Sequence, residues 1–551
     1  MNPGTYRLTH GVLALVLAAA AAGACGDSGR PEAAAGAGGA AGAVAVDGGQ
    51  VAGVPGAAGG AVRMYGSIPY AAAPVGERRW LPPQPVEPWA GVRDGSQLPP
   101  ACPQGILPAP PGEQGFFGPG ATRQDEDCLY LNVWSAAAPG DAAPVMVWIH
   151  GGALRMGDSA EVAFDGSALA SRGVVVVTIN YRLGALGYLA HQLLREESAD
   201  GVSGNYGLLD QVAALEWVQR NIAAFGGDPD RVTIFGESAG SWSVNYLMAT
   251  PLAEGLFAGA IGQSGGVFAP QAGAVSRAEA EAAGERVAAT ALGEGADVSL
   301  EALRALPAAD VVAADTGRVL VNIDGRVLHA SVNEIFASGA QHDVPVILGA
   351  NADEGTALAR YSGGPELSSV AEYEEWARGE YGDLADQYLA AYPAENDGDV
   401  SAHVIDSAGD GRFNWEMRTW ARMMETVPAA AYLYLFTRVP PAPDAARYGA
   451  YHTAEIPYVF GNLGGGSRYW FANRDYDDTD RGLSDMMSSF WINFAATGDP
   501  NGDGLPEWPV YTRDTEQVLE FGDAVQLRQG VRGQRLDFFD QLYAAQRAAT
   551  N

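Results

Sequence analysis

Arg231-Val232-Thr233-Ile234-Phe235-Gly236-Glu237-Ser238-Ala239-Gly240 is the stretch that decides the reading of this chain. A β-branched, apolar run at 232–235 feeds a G-x-S-x-G pentapeptide, and a run of small residues follows. With a strand before it, a sharp turn within it and a helix after it, this pentapeptide is a nucleophile elbow. The residues two before and two after the serine have to be small because the strained turn crowds them. The turn lifts the Ser238 hydroxyl above the sheet edge. The helix that starts at Ala239 aims free N–H groups, and the positive end of its dipole, at developing negative charge.

Working outward, short apolar runs alternate with helical patterns. Strands are expected at 145–149 (VMVWI), 174–179 (VVVVTI), 232–235, 258–262, 344–348 and 432–436. The second is apolar throughout and β-branched, as a central parallel strand is. Leu209, Val212, Leu215 and Val218 give 208–221 a helical period. Strands alternating with helices predict an α/β fold: a mostly parallel, twisted sheet with helices on both faces. Ligands bind such sheets at the carboxyl ends of the strands. No second linker interrupts the pattern, so 44–547 reads as one catalytic domain.

A serine hydroxyl needs a base to take its proton. Elbow-bearing sheets of this kind carry their triad in the chain order serine, acid, histidine. Of seven histidines, His329 and His342 come too early to leave an acid before them, which leaves His403 and His452. His452 is favoured, because it sits on a loop that feeds the apolar run 456–460. The acid should follow the strand at 344–348, where Asp353 and Glu354 are adjacent and both fit the part. The small residues after the first strong strand, His150-Gly151-Gly152-Ala153, let backbone approach a substrate. Gly152, Ala153 and Ala239 are the expected oxyanion donors, and His150 reads as a support for that loop.

These features, together with a series of longer motifs, resemble the type-B carboxylesterases of the cholinesterase-like family, within the α/β-hydrolase superfamily. The motifs are Tyr65-Gly66-Ser67-Ile68-Pro69-Tyr70-Ala71, Glu126-Asp127-Cys128-Leu129-Tyr130-Leu131-Asn132-Val133, Gly204-Asn205-Tyr206-Gly207-Leu208-Leu209-Asp210-Gln211, Phe225-Gly226-Gly227-Asp228-Pro229, Asp353-Glu354-Gly355 and His452-Thr453-Ala454-Glu455-Ile456-Pro457. The resemblance extends from about Val44 to Tyr543. It implies serine-dependent hydrolysis of carboxylic esters through an acyl-enzyme, with Ser238, Glu354 and His452 as the triad. It also implies a polar shell of Glu237, Ser264 and Glu455 beside the histidine, an Arg79–Glu126 ion pair and a Cys102–Cys128 disulfide. Carbamates, lactones, thioesters or amides could use the same machinery, and a non-catalytic surface binding protein is the reading from outside enzymology. Two departures stand out. Leu154 replaces a frequent aromatic, and 103–127 contains no Trp, only Phe116 and Phe117, so a choline-ester specialist is not expected.

Composition sets the outer limits. The 551 residues carry 66 acidic and 33 basic side chains, a net charge of −33, and every fixed cation is Arg. The absence of lysine excludes Schiff-base chemistry and a P-loop lysine. The negative surface repels nucleic acid and anionic lipid. No Cys/His grouping has metal-ligand spacing, and the mechanism calls for no metal or cofactor; the partner is a small-molecule ester, and oligomeric state is unreadable. Residues 1–24 read as an export signal: Arg7, then an apolar run over 11–22 that is too short to span a bilayer. Ala22-Gly23-Ala24 before Cys25 matches a lipoprotein signal, so Cys25 is the expected lipid anchor, and 25–43 is a Gly/Ala-rich tether. With Cys25 so occupied, Cys102 and Cys128 remain as a pair in an oxidising compartment.

Overall fold

The computed structural model describes residues 42–105, 123–293, 295–316, 321–358, 365–443, 445–464 and 474–550. The expected leader, Cys25 and nearly all of the tether lie outside them, as do Phe116 and Phe117. The core is an eleven-stranded sheet. In chain order its strands are β1 (Val54–Pro55), β2 (Arg63–Pro69), β3 (Tyr130–Ser135), β4 (Ala143–Ile149), β5 (Val175–Ile179), β6 (Gly227–Glu237), β7 (Gly259–Gln263), β8 (Val346–Asn351), β9 (Ala431–Phe436), β10 (Gln517–Phe521) and β11 (Val525–Gln529). Their order across the sheet is β11-β10-β9-β8-β7-β6-β4-β5-β3-β2-β1.

The middle of the sheet, from β5 through β4, β6, β7, β8 and β9 to β10, is parallel. Both flanks are antiparallel. β5, β7, β8 and β9 are buried along their whole length, which requires cover on both faces. One face packs against the cluster that includes Leu215, Trp217, Leu247 and Trp420. On the other, Trp148 of β4 and Phe235 of β6 pack against Phe460, in a cluster that includes Trp491. At about 25 cal/mol per Å² of apolar surface removed from water, this two-sided burial is the main stabilising term.

All six strands expected from the apolar runs are present; four are longer, by one to seven residues, one is shifted by one residue and one is shorter by one. The helix expected at 208–221 is α1 (Tyr206–Asn221). A strand pair outside the main sheet, Ala43–Val46 with Gly49–Ala52, starts one residue before the expected domain boundary. The last helix, Gly533–Thr550, runs past residue 547. Five strands went unforeseen on the flanks, β1, β2, β3, β10 and β11. Cys102 and Cys128 form a disulfide. Arg79 donates to both carboxylate oxygens of Glu126, at 2.5 and 2.7 Å, and also to the carbonyl of Leu306.

Candidate active site

β6 ends at Glu237, and helix α2 (Ala239–Ala249) begins one residue after Ser238. Between them Ser238 takes φ 56° and ψ −121°, a conformation that a non-glycine residue holds only when its surroundings over-determine it. The surroundings do so. The Ser238 N–H donates to the Gln263 carbonyl on β7, and its own carbonyl accepts from Trp242 N–H. Gly240 lies so close to β4 that a Cβ there would sit 2.0 Å from the Ile149 carbonyl. Ser238 is partly exposed while Gly236, Glu237, Ala239 and Gly240 are buried. The sequence therefore presents one hydroxyl and hides its frame.

β8 ends at Asn351 and leads into Asp353 and Glu354, the two candidate acids. Glu354 opens helix α3 (Glu354–Leu358), is buried, and accepts the Asn351 N–H at 2.7 Å. Its Oε2 lies 2.6 Å from His452 Nδ1. Asp353, the other carboxylate left open by the residues alone, turns away from the imidazole. It accepts Ala450 N–H at 2.7 Å, and its own N–H donates to the Ala450 carbonyl. An isolated bridge joins Asp353 to Tyr451, and Thr356 Oγ1 donates to the Tyr448 carbonyl. Asp353 thus laces the histidine loop to the acid loop. His403, the alternative base, lies in the helix Asp397–Gly409, with its ring against Tyr392.

His452 Nε2 lies 3.1 Å from Glu237 Oε1, although that oxygen has no aligned hydrogen bond among the described residues. Glu455 is the third buried carboxyl of the group. It accepts Gln263 Nε2 at 3.1 Å and Asn351 Nδ2 at 2.6 Å. Trp491 Nε1 in turn donates to Gln263 Oε1. Burial lowers the pKa of His452, but Glu237, Glu354 and Glu455 outweigh burial and push it up to about 9. Glu237 is raised well above the usual carboxyl range, first by burial and then by Glu455 and Glu354, against the pull of His452. Ser264, expected in this shell, is buried with φ 52°, but its hydroxyl has no hydrogen-bond partner among the described residues.

The glycine loop after β4 faces the elbow. Gly152 has φ 105°, and a Cβ there would meet the Met156 carbonyl at 2.1 Å. Ala153 and Leu154 follow at φ 56° and 58°. A Cβ on Gly151 would sit 3.1 Å from Ser238 Cβ, so loop and elbow are in contact. Ala239, at the start of α2, carries one of the N–H groups that no helical carbonyl reaches. His150 packs on the Tyr181 ring, with centroids 4.5 Å apart, and burial lowers its pKa to about 4. A neutral ring fixed by stacking is the supporting role expected of it. Sequence reasoning missed Asn351, Gln263 and Phe413, whose ring lies 4.6 Å from the His452 ring. Only the first two are polar, and nothing in their local sequence marks them as neighbours of 452. Among the described residues no grouping of His, Cys, Asp and Glu could hold a metal ion, and no helix is long and apolar enough to cross a membrane.

A parallel-centred sheet with a serine elbow after one strand and a Glu–His pair after later ones defines an α/β-hydrolase. The carboxylesterase family's sequence profile matches residues 40–539. A fumonisin B1 esterase of Sphingopyxis macrogoltabida is 40% identical over 487 residues, covering 86% of this chain and 85% of that one. A para-nitrobenzyl esterase of Bacillus subtilis is 36% identical, covering 85% and 92%. A solved PNB esterase structure superposes with TM-score 0.76 at 32% identity, covering 90% of this chain and 99% of that one. The chain belongs to the carboxylesterase family and is a carboxylic-ester hydrolase.

Proposed function

We propose that Ser238 is the nucleophile, His452 the general base and acid, and Glu354 the residue that orients the imidazole. The observation that carries this is the buried Glu354 carboxylate held 2.6 Å from His452 Nδ1. It fixes the tautomer that leaves Nε2 to take the Ser238 proton. Ser238 attacks the ester carbonyl, and the N–H groups of Gly152, Ala153 and Ala239 stabilise the oxyanion. His452 then protonates the leaving alcohol, and water, activated by the same imidazole, resolves the acyl-enzyme. The relatives' names span fumonisin B1, para-nitrobenzyl, acylcarnitine and cocaine. The ester bond is common to these names and the rest of the substrate is not, so the family sets the reaction and the cavity sets the substrate.

The test is hydrolysis of p-nitrophenyl acetate, butyrate and octanoate by the purified protein and by Ser238→Ala. Loss of kcat by about 10⁴-fold or more is expected, since triad members act as a unit. Near-native turnover by the variant would falsify the assignment. We also propose that the domain spans 44–547 and that the chain is exported with Cys25 as its lipid anchor. The composition of 1–24 and the Cys102–Cys128 disulfide support export. Mass spectrometry of the native N-terminus should find a diacylated Cys25; a mature chain that starts elsewhere rules the anchor out.

A further inference from the structure

The loop that carries Gly152 and Ala153 is strained, and a side chain far away in sequence holds it. Ala153 and Leu154 are consecutive non-glycine residues in the left-handed region, at φ 56° and 58°. L-residues enter that region singly and at a cost, and they stay there only where their surroundings over-determine them. Inside the loop, the Gly152 carbonyl accepts the N–H groups of Arg155 and Met156, both at 3.0 Å. Those two bonds close the turn, but they do not fix where it points. Its placement against the elbow needs an anchor from outside.

Asp315 supplies that anchor from 160 residues further along the chain, with its side chain only 3% exposed. Its Oδ1 accepts Arg155 Nη1–H at 3.1 Å, and its backbone carbonyl accepts from Arg155 Nη2. Its Oδ2 accepts the Ala185 N–H, also at 3.1 Å. The residue before Ala185 is Gly184, which donates its own N–H to the Leu154 carbonyl at 2.7 Å. A Cβ on Gly184 would sit 2.9 Å from Asp315 Oδ2, so glycine is what lets the carboxylate approach. One carboxylate thus reaches the loop twice, through the Arg155 guanidinium and through the start of the helix Gly184–Tyr188. Both contacts land directly after Ala153. Asp315 is itself seated at the end of the helix Ala308–Ala314. Val311 and Ala314 of that helix pack with Trp80, Ala185 and Leu186 in a third core cluster, where Trp80 Nε1 donates to the Ala185 carbonyl at 2.8 Å.

Resting on the ester-hydrolase reading and its oxyanion donors, we infer that Asp315 is a positioning residue for the reaction: through Arg155 and Ala185 it holds the strained turn where the N–H groups of Gly152 and Ala153 meet the oxyanion. Among the described residues Asp315 bonds to none of Ser238, Glu354 and His452, so its effect passes through the loop. Oxyanion donors stabilise the transition state only when they are held in place beforehand, and a displacement of about 1 Å costs up to about 100-fold in rate. The bond from Arg155 to the carboxylate is charge-assisted, and so stronger than a neutral one. An ion pair that served folding alone would change how much protein is folded and leave the properties of each active site as they are.

The experiment compares wild type with Asp315→Asn, Asp315→Glu and Arg155→Gln on p-nitrophenyl butyrate, with active sites counted by a fluorophosphonate so that misfolded protein drops out. In Asp315→Asn kcat should fall about 10- to 100-fold while KM stays within about 2-fold. Arg155→Gln keeps the Ala185 bond and should lose less, and Asp315→Glu keeps the charge and should recover part of the loss. The double variant Arg155→Gln/Asp315→Asn should lose no more than Asp315→Asn alone, because both act through one clamp. A pair of ketones then reads the oxyanion site directly. With hexyl trifluoromethyl ketone, Ser238 Oγ adds to the carbonyl carbon, its proton passes to His452, and the carbonyl oxygen becomes the oxyanion. Hexyl methyl ketone stays a ketone. In Asp315→Asn the Ki of the first should rise by the factor that kcat/KM falls, and the Ki of the second should not move. An unchanged trifluoromethyl ketone Ki, or an equal shift for both ketones, overturns the inference while wild-type turnover and inhibition leave the esterase reading standing. If Asp315→Asn does not fold, the same two Ki values in Arg155→Gln decide. A wild type that binds the trifluoromethyl ketone no more tightly than the methyl ketone overturns the oxyanion reading as well.

Discussion

His452 is surrounded by more carboxyls than one imidazole needs, and this has a kinetic consequence. Glu354 lies 2.6 Å from one ring nitrogen, and Glu237 lies 3.1 Å from the other. The proposed base works only when neutral, so kcat/KM should be low below its pKa and rise through it. With that pKa pushed up to about 9, the rise should fall in the alkaline range. Glu237 is the first cause that raises it, so Glu237→Gln should move the limb towards the ordinary histidine value near 6.5. A pH profile of kcat/KM for a neutral ester checks this, and an unmoved limb would show that Glu237 carries no charge in the working enzyme. At this scale the sequence was legible where a residue's role follows from its own neighbours. Ser238 could be proposed from ten residues. Asp353 and Glu354 could not be separated by their own chemistry, since both are turn carboxylates after the same strand, and only the family resemblance favoured Glu354. What divides them is the Asp353–Ala450 contact, which joins loops 97 residues apart.

Among the elements, helix α4 (Trp415–Met423) braces the loop behind the elbow. Glu416 is buried and accepts N–H groups from Phe268 at 2.8 Å and Ala269 at 2.9 Å. A Cβ on neighbouring Gly266 would meet its carboxylate, and one on Gly265 would meet the Ser238 carbonyl, so the loop is fixed from both sides. Burial pushes the pKa of Glu416 up to about 7, against those two bonds. Between the ordinary carboxyl value and about 7, the folded state holds a proton that the unfolded chain releases. This stabilisation is complete at lower pH and is lost as pH rises through about 7. The loss amounts to up to about 3 kcal/mol. Glu416→Gln should abolish that component, so urea midpoints of variant and wild type should converge or cross between pH 5 and 8; parallel curves would show that Glu416 does not titrate there. The interior strands were legible because a strand buried on both faces reads as an unbroken apolar run, as at 174–179. β2, β10 and β11 were not, because flank strands face water on one side and mix Arg, Glu and Gln with their apolar residues. The π turn Asp410–Asn414 was illegible for another reason: no residue type announces it.

In the whole molecule, one covalent link connects an outer loop to the chemistry. Cys102 and Cys128 are 26 residues apart in sequence, and a loop of that size should contribute about 3 kcal/mol by restricting the unfolded chain. The bond also reaches the site. Gln104 donates to the Cys102 carbonyl and exchanges two hydrogen bonds with the backbone of Gly157, at 2.9 Å each. Gly157 packs directly against His150 and the Gly151 carbonyl, at the root of the glycine loop. Opening the disulfide therefore releases a brace on the proposed oxyanion donors as well as a stretch of chain. The double variant Cys102→Ser/Cys128→Ser should lose about 3 kcal/mol of stability. Its kcat for a neutral ester should also drop several-fold while KM changes less, because oxyanion donors act on the transition state more than on the ground state. Thermal unfolding and steady-state kinetics on the same preparations separate the two effects. A destabilised variant with native kcat would confine the disulfide to the loop it closes. A loss in both would make the oxidation state of this pair a condition for full activity, and would tie the catalytic competence of the enzyme to the compartment in which the disulfide forms.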